Sequence, residues 1–220
     1  MKILAIVQAR MGSQRLPGKV MKKINGKPMI GYTLEALKKS KYIDKIVLAT
    51  SILKANDTLV EYAESQGVEV FRGDEDNVLK RYKMVADKYE GDIIIRITGD
   101  CPLINPIIID NVITKYLMYD YDYVRLDVPN SFVRGMDTEV FSKSALDKTY
   151  DIVCNKENMH KEEYNSFREH VTLYIYNNQD KFRVGYVKGE GKYYEAKDMN
   201  YSVDEEEDFE RVKRKIYGIN

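Results

Sequence analysis

The stretch LAIVQARMGSQRLPGK, residues 4–19, begins the pattern that decides the fold class, because a short apolar run leads directly into a glycine-containing basic loop. The first acidic residue of the chain is Glu35, and every charged side chain before it is basic. These side chains are Lys2, Arg10, Arg15, Lys19, Lys22, Lys23 and Lys27. Because the formal net charge of the whole chain is zero, this local excess predicts a binding site for anions, with phosphates as the favoured ligands.

The loop does not match either of two common phosphate-binding motifs. A Walker loop has four residues between its glycines, whereas five separate Gly12 from Gly18, and Val20 stands where Ser or Thr should follow Lys19. The dinucleotide fingerprint has three closely spaced glycines, and only Gly12 lies near the strand end. Arginine can bind phosphate oxygens in pairs, and lysine adds a mobile charge. A solvated basic loop is the alternative, but the clustering at a strand end favours a phosphate site.

Strand-like and helix-like segments alternate over the first half of the chain. Runs rich in β-branched residues predict strands at 3–7, 45–50, 68–71 and 92–98. Helical spacing predicts helices at 29–40, 55–66, 76–90 and 110–119. This succession predicts an α/β fold with an open, mostly parallel, doubly wound sheet. Ligands of such sheets bind at the carboxyl ends of strands, where the first loop and the sequence TGDCP at 98–102 both lie.

The pattern changes near residue 120 and predicts a small mixed elaboration. Strands are expected at 121–126, 182–187 and 194–203, with antiparallel pairing considered for the last two. Helices are expected at 141–153 and 204–218, with a polar connector at 155–166. The acids at the start of the last helix and the bases at its end match the helix dipole.

Composition excludes several functional classes. A hydrophobic content of 44% suffices for a full core, but no apolar run is long enough to span a bilayer or to resemble a signal peptide. Cys101 and Cys154 have no metal or redox spacing, so free thiols in a reducing cytoplasm are expected. The balanced charge argues against nucleic-acid binding. The sequence has no HExxH, cysteine-rich or Ser-His-Asp pattern, which disfavours zinc catalysis and triad hydrolysis.

Asp100 follows the apolar run IIIRIT and precedes Cys101 and Pro102. A carboxylate at the carboxyl edge of a strand, facing a cationic loop, is well placed to hold Mg²⁺ together with phosphate oxygens. The alternative is an ordinary turn aspartate that bonds to its own backbone. Together with the opening loop, the metal role is favoured.

The segment QARMGSQRLPGK at 8–19 resembles the signature loop of the cytidylyltransferases that activate acidic sugars, the group of CMP-Kdo and CMP-acylneuraminate synthetases. The most similar subgroup is the spore-coat polysaccharide protein F type. Further similar segments lie at 27–51, 70–82, 96–110, 168–176 and 201–209. The resemblance implies a Rossmann-like nucleotidyltransferase fold that forms a single domain over residues 1–220. Residues 120–190 would form an acceptor-side or dimerisation elaboration, and a homodimer is expected.

The resemblance also implies the reaction. An acceptor oxygen attacks the α-phosphorus of CTP, pyrophosphate leaves, and a CMP-linked building block for a cell-surface polysaccharide forms. The acceptor would be an acidic sugar or a small phosphate or phosphonate compound. The catalytic candidates are Arg10, Arg15, Lys19 and Asp100. The candidates for binding the nucleotide are Gln8, Ala9, Arg10, Gly12, Ser13, Arg15, Lys19, Arg72, Gly73 and Asp100.

Two metal ligands for Mg²⁺ are implied by the same resemblance, Asp100 and Asp204. At Asp204 the alternative is a helix cap, because five acids in a row form a natural helix start. The family often has Thr-Pro after this aspartate, whereas Glu205 and Glu206 follow it here. Arg96 is a further candidate for binding the nucleotide, or equally a strand residue that pairs with a carboxylate.

The acceptor side is assigned by resemblance alone. The candidates are Arg134, Asp137, Glu139, Arg168 and His170. His170 could act as a general base or an acceptor clamp, and a place in an ordinary polar network is the alternative. Two other functions remain open: a glycosyltransferase that uses a nucleotide sugar, and a nucleotide-binding subunit without turnover. The density of basic residues in the opening loop fits a triphosphate and a pyrophosphate leaving group better than a sugar diphosphate.

Overall fold

The apolar run at the start of the chain becomes the central strand of a seven-stranded sheet. The computed structural model describes residues 1–155 and 159–218. Its strands are β1 (Ile3–Gln8), β2 (Lys23–Ile24), β3 (Lys27–Pro28), β4 (Lys45–Ser51), β5 (Glu69–Gly73), β6 (Ile93–Thr98), β7 (Tyr123–Leu126), β8 (Glu139–Ser142) and β9 (Val184–Val187). The sheet order is β5-β4-β1-β6-β8-β7-β9, and β2 and β3 form a separate small hairpin. Neighbouring strands pair in parallel except at β8, which is antiparallel to both β6 and β7.

Helices cover both faces of this sheet. They are α1 (Met29–Lys38), α2 (Asp57–Ser65), α3 (Val78–Lys88), α4 (Pro106–Met118), α5 (Lys143–Asn155), α6 (Lys161–Glu169), α7 (Leu173–Asn177), α8 (Lys192–Glu195) and α9 (Glu206–Tyr217). One core contains buried side chains of α1, α2, α4 and α9, and the other contains those of α3, α5, α6 and α7. Strand β1 supplies both, since Ala5 and Val7 face the first core whereas Leu4 and Ile6 face the second. The doubly wound α/β prediction is confirmed.

The loop after β1 is closed by backbone hydrogen bonds. The amide of Gly18 donates to the carbonyl of Met11 over 2.9 Å, and the Asn56 side chain accepts the amide of Met11 over 2.8 Å. Gly18 has φ of +68°, a conformation that glycine adopts without steric cost. A short 3-10 turn, Lys19–Met21, follows and starts the chain toward the first helix. The basic loop therefore leaves the sheet as an ordered turn.

Two predicted segments of the second half were wrong. Residues 194–203 do not form a strand; the short helix α8 ends at Glu195, turns and irregular backbone follow, and Asn200 makes only a single bridge with Arg134. Aromatic packing holds α8 in place, since the ring of its Tyr193 stacks on Phe132 at 5.0 Å between centroids. The predicted polar connector at 155–166 includes the start of α6, and its residues 156–158 lie outside the described residues.

Strand β9 confirms the predicted strand at 182–187, but its pairing with β7 is parallel rather than antiparallel. The chain crosses from β8 to β9 through α5, α6 and α7, and a helical crossover of this kind allows parallel pairing. In residues 1–155 and 159–218, no helix combines the length and apolar character needed to cross a membrane. Cys101 is buried, Cys154 is exposed, and both are free.

A stability prediction follows from Gly135, where two distant segments touch. Gly135 has φ of +91°, and a Cβ there would overlap the backbone of Tyr201 and Ser202. Gly135→Ala should lower the free energy of unfolding by about 3 kcal/mol, because backbone overlap adds to the cost of positive φ. Urea denaturation measures the change.

The matched control is Gly26→Ala. Gly26 also has a positive φ, +74°, but nothing lies within 4 Å of a Cβ built there. This variant should lose only about 1 kcal/mol. Equal losses in the two variants would contradict a close approach of residue 135 to 201–202.

Candidate functional site

A cleft of about 950 Å³ opens at the carboxyl ends of β1 and β6. It is lined by the basic loop, by the end of β6, by the residues that begin α3, by the end of α6 and by Asp204. The predicted site residues in its lining are Gln8, Ala9, Arg10, Ser13, Arg15, Lys19, Asp100, Arg168, His170 and Asp204. The cleft thus lies at the carboxyl edge of the sheet, where a ligand site is expected in a parallel sheet.

Lys19 joins the two predicted metal ligands. Its Nζ lies 2.9 Å from a carboxylate oxygen of Asp100 and 2.9 Å from one of Asp204, and it donates to the Val203 carbonyl over 2.7 Å. Burial alone would lower the pKa of Lys19, but the charges and hydrogen bonds of the two carboxylates outweigh burial, so its pKa is raised. Lys19 is therefore a cation at neutral pH, held between two carboxylates.

Asp204 does not cap the last helix. The N-cap residue of α9 is Glu205, which forms a capping box with Asp208, and the Asp208 carboxylate accepts the backbone amides of Asp204 and Glu205 over 2.9 and 3.0 Å. The Asp204 side chain turns instead to Lys19 and to Arg15, whose Nη2 lies 3.0 Å away. The helix-cap alternative is wrong, and the Asp204 carboxylate belongs to the cleft.

The first two arginines of the loop reach different walls of the cleft. Arg10 Nη1 lies 2.7 Å from a Glu75 carboxylate oxygen, in the segment between β5 and α3. Arg15 reaches Asp204 and Glu205 at the start of α9 and keeps 60% of its side chain exposed. Carboxylates thus hold both guanidinium groups in place while leaving them accessible to a ligand.

Arg96 pairs with a carboxylate, which is one of the two alternatives that the sequence analysis gave for it. Its Nη1 lies 2.8 Å from a Glu139 oxygen, and its Nε donates to the Gln8 side chain over 3.1 Å. Glu139 is only 7% exposed and also accepts a hydrogen bond from the Thr172 hydroxyl. This predicted acceptor residue is thus enclosed by protein groups and does not line the cleft.

Five other predicted site residues also fall outside the cleft lining: Gly12, Arg72, Gly73, Arg134 and Asp137. Arg72 binds the Asp57 carboxylate over 2.7 Å and backbone carbonyls of the loop after β4, so it orders that loop. Asp137 accepts the amide of Gly135 over 2.8 Å, and burial raises its pKa.

The remaining three have clear local reasons for their placement. Arg134 is exposed, and its carbonyl accepts the Tyr201 amide over 2.9 Å. Gly12 lies against Glu75, since a Cβ at Gly12 would be 3.3 Å from the Glu75 carboxylate. A Cβ at Gly73 would lie 2.9 Å from Cγ of Arg81, so this glycine makes room for an arginine.

Glu75 and Arg81 are cleft residues that the sequence analysis did not identify. Arg81 is 2% exposed and lies on the face of α3 that buries Val78, Tyr82 and Val85. A charged residue at an apolar position of an amphipathic helix was the signal that could have found it. Glu75 carried no such signal, because only the fold brings it to Arg10.

An α/β sheet with an ordered basic loop after its first strand, facing two carboxylates across one cleft, defines a nucleotide-binding enzyme of the nucleotidyltransferase class. The cytidylyltransferase family model matches residues 4–215, and the chain belongs to this family. The spore coat polysaccharide biosynthesis protein SpsF of Bacillus subtilis is 33% identical over 96% of this chain and 85% of its own length. The predicted family resemblance and enzyme class are confirmed.

Two solved structures share the fold. A cytidylyltransferase from Leptospira borgpetersenii has a TM-score of 0.87 at 33% identity, covering 100% of this chain and 88% of the other. A CMP:2-keto-3-deoxy-manno-octonic acid synthetase, solved in complex with CTP, has a TM-score of 0.71 at 19% identity and covers 99% of both chains. The predicted nucleotidyltransferase fold is therefore confirmed along the whole chain.

The buried Arg96–Glu139 pair generates a second stability prediction. Glu139→Ala should lower the free energy of unfolding by about 3–5 kcal/mol, because it leaves the largely buried Arg96 without its carboxylate. Glu35→Ala is the control, since the Lys27–Glu35 pair is more exposed and its loss should cost less than about 1 kcal/mol. Chemical denaturation compares the two variants. An unchanged free energy of unfolding for Glu139→Ala would contradict a stabilising Arg96–Glu139 pair and would make Glu139 a candidate for binding a ligand again.

Proposed function

We propose that this enzyme transfers CMP from CTP to an oxygen of a small acceptor and releases pyrophosphate, with Mg²⁺ as its metal ion. The acceptor would be an acidic sugar or a small phosphate or phosphonate compound used for a cell-surface polysaccharide, and the enzyme would act as a cytoplasmic homodimer. One observation carries the proposal: basic side chains of the first loop and the carboxylates of Asp100 and Asp204 line the same cleft. Membership of the family and the CTP complex of the related synthetase support CTP as the nucleotide.

The basic loop is suited to the triphosphate. Arg10, Arg15 and Lys19 carry positive charge on one short segment, and each is already oriented by a carboxylate. Phosphate oxygens would replace these carboxylates as partners, with the arginines binding in pairs of hydrogen bonds. The same charges would stabilise the departing pyrophosphate, because preorganised cations favour the charge that develops in the reaction. Gln8, Ala9 and Ser13 would lie along the nucleotide.

The two carboxylates fit a magnesium ion. Asp100 and Asp204 each place an oxygen 2.9 Å from Lys19 Nζ, so their side chains converge on one point. Mg²⁺ is usually held by one or two carboxylates together with substrate phosphates and water. Among the described residues, no group of three or more His, Cys, Asp or Glu side chains is placed to hold a metal, so phosphates would complete the coordination. When bound, Mg²⁺ would neutralise phosphate charge.

The acceptor would lie against the end of α6. Arg168 and His170 line the cleft there, whereas the other predicted acceptor residues, Arg134, Asp137 and Glu139, do not. Arg168 offers a cation to an acidic acceptor, and His170 offers a group that can hold the attacking hydroxyl or accept its proton. Holding both substrates in one cleft raises their effective concentration, which supplies much of the rate enhancement in such transfers.

Nucleotide selectivity is the first test, because it needs no knowledge of the acceptor. CTP with Mg²⁺ should stabilise the protein by about 2.7 kcal/mol at a hundredfold excess over Kd, and UTP, ATP and GTP by clearly less. Thermal unfolding with and without Mg²⁺, together with calorimetry, gives this comparison. A preference for another triphosphate would contradict CTP as the substrate, and no response to any of them would contradict nucleotidyl transfer. Pyrophosphate release with a matching acceptor would then exclude a glycosyltransferase, which releases a nucleoside diphosphate.

The metal role of Asp100 is tested by Asp100→Asn. The wild-type protein should bind CTP more tightly with Mg²⁺ than with EDTA, and the variant should lose this gain while still binding CTP without metal. Calorimetric titration of CTP under the two conditions measures the gain. Asp198→Asn is the control, because the Asp198 side chain is 85% exposed and lies outside the cleft lining. A full Mg²⁺-dependent gain in Asp100→Asn would remove this residue from the metal site.

A further inference from the structure

Arg81 is a buried cation that the proposed reaction has not yet used. It belongs to α3, is 2% exposed, and lines the cleft. Its Nη1 donates to the backbone carbonyls of Asp74 and Glu75, the latter over 2.9 Å. Its Nε is buried and has no hydrogen-bond partner among the described residues. Part of the Arg81 guanidinium is therefore held by the backbone, and part is left without a partner.

The charge of Arg81 also has no salt bridge among the described residues, and the carboxylates of Glu75 and Asp74 act on it only from beyond salt-bridge distance. Within residues 1–155 and 159–218, no carboxylate oxygen lies within 4 Å of its guanidinium, although Glu75 and Asp76 line the same cleft. Arg96, the other arginine of the cleft with a nearly enclosed side chain, is matched by Glu139 at 2.8 Å. A buried cation without a carboxylate is costly, and burial lowers the pKa of Arg81 accordingly. A bound anion would offset this cost.

Arg168 adds a second cation to the same wall. It lies on α6, which packs against α3, and it also lines the cleft. Its Nε is buried without a hydrogen-bond partner in the part of the chain that the structure describes, and its guanidinium lies 5.1 Å from the ring centre of Tyr164. Two neighbouring helices thus each contribute to the cleft lining an arginine whose buried Nε–H has no hydrogen-bond partner among the described residues.

This wall is separate from Lys19, Asp100 and Asp204, whereas Arg10 of the basic loop reaches it through Glu75. Buried side chains of α3 and α6 belong to one core of the sheet, whereas Val20 and Val203, beside Lys19 and Asp204, belong to the core on the opposite face. The cleft therefore has one group of cations around Asp100 and Asp204 and another on α3 and α6. The Arg10–Glu75 pair lies next to the second group and carries its own counter-charge.

We propose that Arg81, together with Arg168, forms a second anion subsite that binds the acidic group of the acceptor and so determines acceptor specificity. The group would be a carboxylate or a phosphate or phosphonate, since the guanidinium fork fits each of these. The assignment rests on the proposed function, because it takes the triphosphate to be bound by the basic loop, Arg10 included. Gly73 is a positioning residue for this subsite, since a side chain there would displace the Arg81 stem.

The experiment records the Nε–H resonances of Arg81 and Arg168 by NMR in protein saturated with CTP in EDTA. Inorganic phosphate and acetate are added in separate titrations, so CTP blocks the loop and the two anions distinguish the two acidic groups. Arg81→Lys and Arg168→Lys assign the resonances. We expect one anion to shift both resonances with a single Kd, and Arg168→Leu to raise that Kd at least tenfold.

Gly73→Ala provides a test that leaves every charge in place, and it should also weaken anion binding. Arg183→Ala is the matched control, because Arg183 pairs with Asp120 and Asp122 on the surface and should leave the Kd unchanged. Resonances that neither anion moves, in protein that binds CTP normally, would overturn the subsite. A shift that is seen only in the absence of CTP would also overturn the subsite, because it would show that bound CTP occupies the position beside Arg81. Failure to bind CTP would instead count against the proposed function, and titration of the nucleotide-free protein would still test the subsite.

Discussion

The rest of the site depends on one interaction, the contact of the Lys19 ammonium group with two carboxylates. It joins residues 81 and 185 positions away in the chain, through contacts of 2.9 Å to Asp100 and to Asp204. Without it, two carboxylates from separate segments would face each other across a cleft and repel, which is costly in a partly enclosed site. The same contact fixes the end of the basic loop against the segment before α9. Loop, strand end and final helix are therefore held in one geometry by a single cation.

Each cation of the basic loop that we assign to the triphosphate is paired with a carboxylate. Arg10 is matched by Glu75, Arg15 by Asp204, and Lys19 by both aspartates of the cleft. A ligand that brings both phosphate and a divalent cation can exchange partners with these pairs without leaving a charge unmatched, whereas either alone leaves a cation or a carboxylate without its partner. If the nucleotide and the metal bind as we propose, these pairs would couple the two binding events through electrostatics.

The parallel half of the fold could be predicted because each strand there has its own apolar run and each helix its own periodicity. In the second half, β7, α5, β9 and α9 were predicted in the same way, whereas the structure of 155–166 and 194–203 was not, because tertiary contacts determine it. Tyr193 is placed by stacking on Phe132, and α6 buries only Phe167. In the site, the basic loop and Asp100 were visible as a charge pattern at strand ends. The pairing of Glu139 with Arg96 could not be predicted, because Arg96 lies on a neighbouring strand and strand pairing is not contained in local sequence.

The division of the cleft into two groups of cations would separate the chemistry that we propose from the selection of the acceptor. The cations near Asp100 and Asp204 already have carboxylate partners, so they suit a ligand that carries its own metal ion. Arg81 and Arg168 have no carboxylate within 4 Å among the described residues, so they suit an anion that brings no metal. Because these two arginines lie on helices rather than on the loop, changes in α3 and α6 would alter the proposed acceptor subsite while leaving Arg15 and Lys19 in place.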